Sequence, residues 1–107
     1  MTVEIGYFAD NSKNICSWDP LTANGSTPAV KLAGVNYVFV HKIVGGNITV
    51  IDEGSLNGTD WFELESHSHS SSGTDAHFYS NSPVLYVRCT VSNIGNGEEF
   101  HGSVMCD

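Results

Sequence analysis

The chain has 107 residues, with twelve acidic against four basic side chains and a formal net charge of -8. That length allows one domain with a real core but not two, and the negative field repels a nucleic-acid backbone, which excludes nonspecific nucleic-acid binding. With 40% hydrophobic and only 15% charged residues, and Ser, Thr, Asn and Gly filling most of the remainder, the composition is that of short strands joined by turns rather than of a disordered tail.

Residues 2–9 read as a first strand and residues 10–14 as a loop of side chains that bond their own backbone. Ile15, Cys16, Ser17 and Trp18 make a short second strand. Residues 19–28 contain Pro20, Gly25 and Pro28, so they form a long loop and not a central strand. Residues 1–34 are therefore read as an N-terminal strand followed by a contact loop. In residues 35–41, Val35, Tyr37, Phe39 and His41 share one face and Asn36, Val38 and Val40 the other, the pattern of a strand covered on both sides. Gly45, Gly46 and Asn47 then predict a hairpin back into residues 48–51.

Asn57-Gly58 predicts a type I′ turn, because both central positions need positive φ. After it Trp61, Glu63 and Glu65 alternate with Phe62 and Leu64. Residues 66–75 are polar and low in complexity, which predicts a mobile surface loop. Residues 76–80 are a short strand, Ser82-Pro83 a break, and residues 84–91 a central strand. Asn93 to Gly97 turn the chain into a last strand over residues 100–106. No apolar residues hold a helical period over three turns, and turn signals recur about every ten residues, so the prediction is all-β: a two-sheet antiparallel β-sandwich, jelly-roll or Ig-like. Its expected core includes Val38, Val40, Val50, Trp61, Leu64, Val87 and Val91.

Cys16, Cys89 and Cys106 are odd in number and lack Cys-x-x-Cys spacing, which fits reduced, buried thiols better than a disulfide framework or zinc ribbon. No run approaches the ~20 apolar residues of a membrane helix. Met1 is followed by a strand-like segment rather than a basic and then apolar leader, which predicts synthesis in the cytoplasm and makes the three Asn-x-Ser/Thr sequons incidental.

His67-Ser68-His69 is the sharpest candidate site, since residues i and i+2 of an extended chain point the same way and present two imidazoles together. Metal binding there requires a three-fold assembly with this segment on its axis. The solvated-loop reading is preferred, and neither metal nor cofactor is expected. Asp52, Glu53, Asp60 and Glu63 flank a hairpin and read as turn residues rather than a catalytic carboxylate pair. Cys89 lies in a core-like strand with no histidine placed by sequence to activate it. No phosphate loop or calcium loop is present. No catalytic residue is expected, and the chain reads as a non-enzyme.

The run Gly54-Ser55-Leu56-Asn57-Gly58-Thr59-Asp60-Trp61-Phe62-Glu63-Leu64, followed by Tyr86-Val87-Arg88-Cys89-Thr90-Val91, resembles a module of tailed-phage virion proteins. There it reads Gly-Ser-x-Asp/Asn-Gly-Thr-x-Trp-x-x-Leu and then Tyr-Val-Arg. With Tyr37-Val38-Phe39 the resemblance spans roughly residues 35–106, and it implies a small head-decoration, cement or tail-associated structural protein. The implied partners are the major capsid protein or another virion protein and further copies of the chain, in a homotrimer made in the host cytoplasm and carried on the virion. Contact candidates are Tyr7, Phe8, Trp18, Pro20 and Pro28. The other reading is a carbohydrate- or surface-binding module in which Tyr7, Trp18, Tyr79 or Tyr86 stack on sugar rings.

Overall fold

The computed structural model describes residues 14–106. They form nine strands: β1 (Asn14–Ser17), β2 (Gly25–Ser26), β3 (Val30–Lys31), β4 (Tyr37–Val44), β5 (Ile48–Ser55), β6 (Trp61–His69), β7 (Gly73–Tyr79), β8 (Tyr86–Ser92) and β9 (Glu99–Cys106). No helix in this region is long and apolar enough to cross a membrane. The predicted strand over residues 2–9, with Tyr7 and Phe8, lies outside the described residues.

The first sheet has the order β1-β9-β4-β7 and the second β2-β8-β5-β6, with β3 also on β8. β2 pairs with Val91 and Thr90, and β3 with Val87 and Tyr86, so the two act as one interrupted edge strand. Pro28, which has no N–H to give a ladder, falls in the interruption. Counted this way, the eight strands follow the jelly-roll order, the first of the two predicted alternatives.

Two predicted turns differ from the structure. Gly45, Gly46 and Asn47 do not fold β5 back onto β4; they carry the chain from the first sheet to the second, with φ of 107° at Gly45 and 41° at Asn47. The physical reason is that β4 and β5 each bury one alternate face, and those faces meet across the core rather than side by side. At the β5–β6 connection only Gly58 has positive φ, 79°, so the two-residue type I′ turn does not form. Instead Asn57 Oδ1 accepts the backbone N–H groups of Thr59 and Asp60, each at 2.8 Å, and Asn57 Nδ2 donates to Asp60 Oδ2 at 2.8 Å.

The inward face of β4 is Tyr37, Phe39, His41 and Ile43; Val38 and Val40, expected in the core, lie half-buried on the outer face. Beside that inward face on the same sheet lie Phe100 and Val104 of β9, and across the core from it pack Ile48 and Val50 of β5 and Val87, Cys89 and Val91 of β8. Cys16 and Cys89 are free, buried thiols and Cys106 is buried as well.

Trp61 was expected beside Val50 and Val87 in this core, but it is only half-buried and points outward. A bulge causes this. Asp52 pairs with Glu65 and Glu53 with Glu63, leaving Leu64 as the extra residue. In an unbroken strand Trp61 and His67, six apart, would share a face; the extra residue reverses the phase. Trp61 therefore lies outside under the Arg88 guanidinium, 4.2 Å from the ring centroid, while His67 and His69 turn inward. Arg88 pairs with Glu53 at 2.8 Å.

Candidate functional site

β6 and β7 are the edge strands of their two sheets on the same side of the sandwich, joined by Ser70, Ser71 and Ser72. The predicted mobile loop over residues 66–75 is thus largely strand: β6 runs to His69 and β7 starts at Gly73. Alternation is what makes it so, because the two histidines have an interior to face. The side chains of His67 and His69 are only 12% and 8% exposed.

What they face is a polar cluster inside an otherwise apolar core. His41 of β4 and Asp52 of β5 are both fully buried, with His41 Nε2 donating to Asp52 Oδ1 at 2.7 Å. Tyr79 of β7 donates its hydroxyl to Asp52 Oδ2 at 2.7 Å. His67 Nε2 approaches Asp52 Oδ2 to 3.2 Å without the alignment of a hydrogen bond. Cys89 Sγ, 3.5 Å away, donates to Asp52 Oδ1. His77 of β7 stacks on His67 with ring centroids 3.5 Å apart, and its Nε2 is buried with no hydrogen-bond partner. Four of the five histidines of the chain thus meet at one place, drawn from three strands and both sheets.

A carboxylate so buried would ordinarily be pushed toward its neutral form. The desolvation is outweighed at Asp52 by the hydrogen bond and charge of His41 and the hydrogen bond of Tyr79, which hold it below its ordinary value. Burial and then the neighbouring His41 push His69 and His77 below the ordinary histidine value. Burial and the Asp52 charge raise the Tyr79 hydroxyl.

The side chains His41, Asp52 and Cys89 have the identities of a nucleophile, base and orienter, and His41 Nε2 stands 4.0 Å from the sulfur. They do not make an activated thiol. Cys89 is wholly buried, and desolvation together with Asp52 drives its pKa well above the ordinary value, whereas a nucleophile needs it lowered and reachable. The flanking carboxylates also separate: Asp52 is buried, Glu53 holds Arg88 and Asp60 holds Asn57. In one group, one ring nitrogen each from His41, His69 and His77 lies within 4.8 Å of the others, a donor set that fits a metal ion.

A second feature lies on the outside of the first sheet. Ile15 of β1 is opposite Met105 of β9, Met105 opposite Val38 of β4, and Val38 opposite Phe78 of β7. This apolar row crosses all four strands, and Phe78, at its edge, is 78% exposed. An open apolar cleft beside it is lined by Tyr37, Val38, Phe78 and Met105 among others. Of the contact residues expected from sequence, Pro20 and Pro28 are exposed, but Trp18 is 6% exposed and packs 6.4 Å from Phe39 between ring centroids. Trp18 is thus part of the core cluster. The outer row was missed because alternation alone did not say which face of residues 35–41 was inward, and His41 was not recognised as a core residue.

No protein-family model matches the sequence, and no curated protein is similar to it. Among solved structures, the chain is similar to a subunit described under "Bacillus endospore appendages form a novel family of disulfide-linked pili", with 12% identity, 88% of each chain covered and a TM-score of 0.41. It is similar as well to a CBM4 structure, with 10% identity, 92% of this chain and 82% of that one covered and a TM-score of 0.43. A third similarity is to a recombinant oxalate oxidase in complex with glycolate, with 13% identity, 98% of this chain and 57% of that one covered and a TM-score of 0.41. The class that fold and geometry define is a small jelly-roll sandwich with a histidine-rich interior edge.

Proposed function

We propose that the chain is a non-enzymatic structural subunit of a phage particle, a decoration or cement protein that fastens onto the major capsid protein lattice and associates as a homotrimer. The observation that carries the reading is the row Ile15–Met105–Val38–Phe78 across the outer face of the first sheet. An exposed phenylalanine continuous with three further apolar side chains is costly to leave in water and is the pattern of a contact surface. The module around Asn57 and Trp61 and the Tyr86-Val87-Arg88 run supports the same class by resemblance. The net charge of -8 favours a protein partner over nucleic acid.

The aromatic residues of the carbohydrate reading are not aligned on an exposed face among the described residues. Trp18 is in the core, Tyr79 is half-buried and bonded to Asp52, and Tyr86 is half-buried against the turn at Gly58. The test is rebinding. Particles assembled without this chain should take up the purified protein to saturation, and Phe78→Asp, which puts a charge in the row, should abolish uptake. Equal uptake of the variant would refute the contact surface, and no uptake of either protein would refute the decoration role.

A further inference from the structure

We propose that His41, His69 and His77 form a Zn(II) site within a single chain, which clamps the two sheets together at the β6–β7 edge. His41 Nδ1 and His69 Nε2 face each other at 3.4 Å. The far nitrogen of His41 donates to Asp52 at 2.7 Å, and the far nitrogen of His69 faces Asp75 Oδ2 at 3.3 Å. An ionised carboxylate accepts and does not donate, so the hydrogen bond to Asp52 keeps the His41 proton on the far side and leaves its Nδ1 as a bare lone pair, while the negative charge of Asp75 beside Nδ1 of His69 favours a proton there and a bare Nε2 facing His41. Two lone pairs pointed at one another repel unless a cation lies between them.

The spacing fits that cation. Two imidazole nitrogens bound to zinc at about 2.0–2.1 Å with a tetrahedral angle are about 3.3–3.4 Å apart, and the observed separation is 3.4 Å. His77 supplies a third nitrogen within 4.8 Å of the other two, and its Nε2 is buried without a hydrogen-bond partner. Carboxylates behind metal-binding histidines fix the ring tautomer and raise ligand basicity, the arrangement that Asp52 and Asp75 provide here. His41 and His77 belong to the first sheet and His69 to the second, so one ion would join both. Three imidazoles leave the fourth tetrahedral position for water or Glu65, whose carboxylate groups with His67 and His77. This site differs from a trimer-axis site made of His67 and His69, since it needs one chain and yields one metal per chain.

The experiment is a calorimetric titration of tag-free, chelator-treated protein with Zn(II) near neutral pH, alongside His69→Ala, His77→Ala, Asp75→Asn and His101→Ala. His101 lies apart from the cluster, paired with Glu99, and serves as the control. Wild type and His101→Ala should bind one Zn(II) per chain, with weakening of about tenfold or more for Asp75→Asn and greater loss for the two ligand variants. Co(II) in place of Zn(II) should give the intense visible bands of a tetrahedral site, and circular dichroism confirms that each variant is folded. Asp75 is exposed, so its variant tests the site even where a histidine variant unfolds. Absence of stoichiometric binding by wild type, or binding that His69→Ala, His77→Ala and Asp75→Asn all retain, would overturn the proposal.

Discussion

His41 of β4 and Asp52 of β5 are both fully buried and meet at 2.7 Å across the interior of the sandwich, in a core that among the described residues is mostly apolar or aromatic. The pair sets the identity of its surroundings. Tyr79 and Cys89 spend their donors on the same carboxylate, and the remaining histidines gather around the imidazole.

Removing one partner strands the other. Asp52→Ala leaves His41 buried without its acceptor and Tyr79 without one as well, and the expected loss is ~3–5 kcal/mol of unfolding free energy, measured by urea denaturation. A loss below ~1 kcal/mol would show that water reaches the cluster and solvates it.

Trp61 and Phe39 should separate clearly. Phe39→Ala, in the fully buried ring cluster with Tyr37 and Tyr79, should cost ~3–5 kcal/mol. Trp61→Ala removes a half-buried ring and its contact with Arg88, for which about 1–2 kcal/mol is expected. Equal losses in thermal or urea unfolding would place Trp61 in the core after all.

Acid should destabilise the metal-free protein in two stages. His69 and His77 have folded pKa values below the reference of about 6.5, so below that pH the unfolded chain binds protons that the folded chain does not. Stability therefore falls as pH drops from about 6.5 toward their folded values. Asp52, also lowered, contributes stability that is present above its reference of about 3.9 and is lost as pH falls further, through its folded value. The groups facing this cluster are His41, His67, Asp75 and Glu65. Thermal midpoints at stepped pH should decline between pH near 7 and pH near 5, and less steeply in His77→Gln; a flat or rising profile would contradict the burial of these rings.

Close approach makes Gly102 intolerant of a side chain. A Cβ there would stand 2.7 Å from the Phe100 ring and 3.1 Å from Trp18. Gly102→Ala should cost ~1–3 kcal/mol, read from the midpoint of urea unfolding, and a neutral result would mean that the Trp18–Phe100 packing is loose.

Much of the fold was legible because it rests on alternation and turn residues, which are local. Residues 84–91 and 100–106 read as strands and are β8 and β9, and the buried faces of both follow period two. The faces of β4 and β6 were not legible for different reasons. In β4 both faces carry apolar side chains, so only the packing of Tyr37, Phe39 and Ile43 chooses between them. In β6 the bulge at Leu64 reverses the phase, and nothing in the run Trp61 to His69 announces an extra residue. The histidine cluster was half visible. His67 and His69 were read as pointing the same way, but joining them to His41, Asp52 and His77 needs the crossing of chain between sheets at residues 45–47 and 70–72, which is tertiary information.

Phe78 offers a clean separation of folding from association. Its side chain is exposed, so Phe78→Ser should leave urea-unfolding stability within about 0.5 kcal/mol of wild type. Light scattering at micromolar concentration should find the wild type as a trimer and the variant as a monomer; a monomeric wild type would remove self-association through this row.

The central claim is that this chain is built into a particle, and the composition of the particle tests it most directly. Virus particles from cells that carry the gene are banded by density and their proteins quantified by mass spectrometry. The account predicts the chain in the particle band at a copy number comparable with the capsid lattice, and its presence only in the soluble fraction, with particles lacking it, would contradict the account.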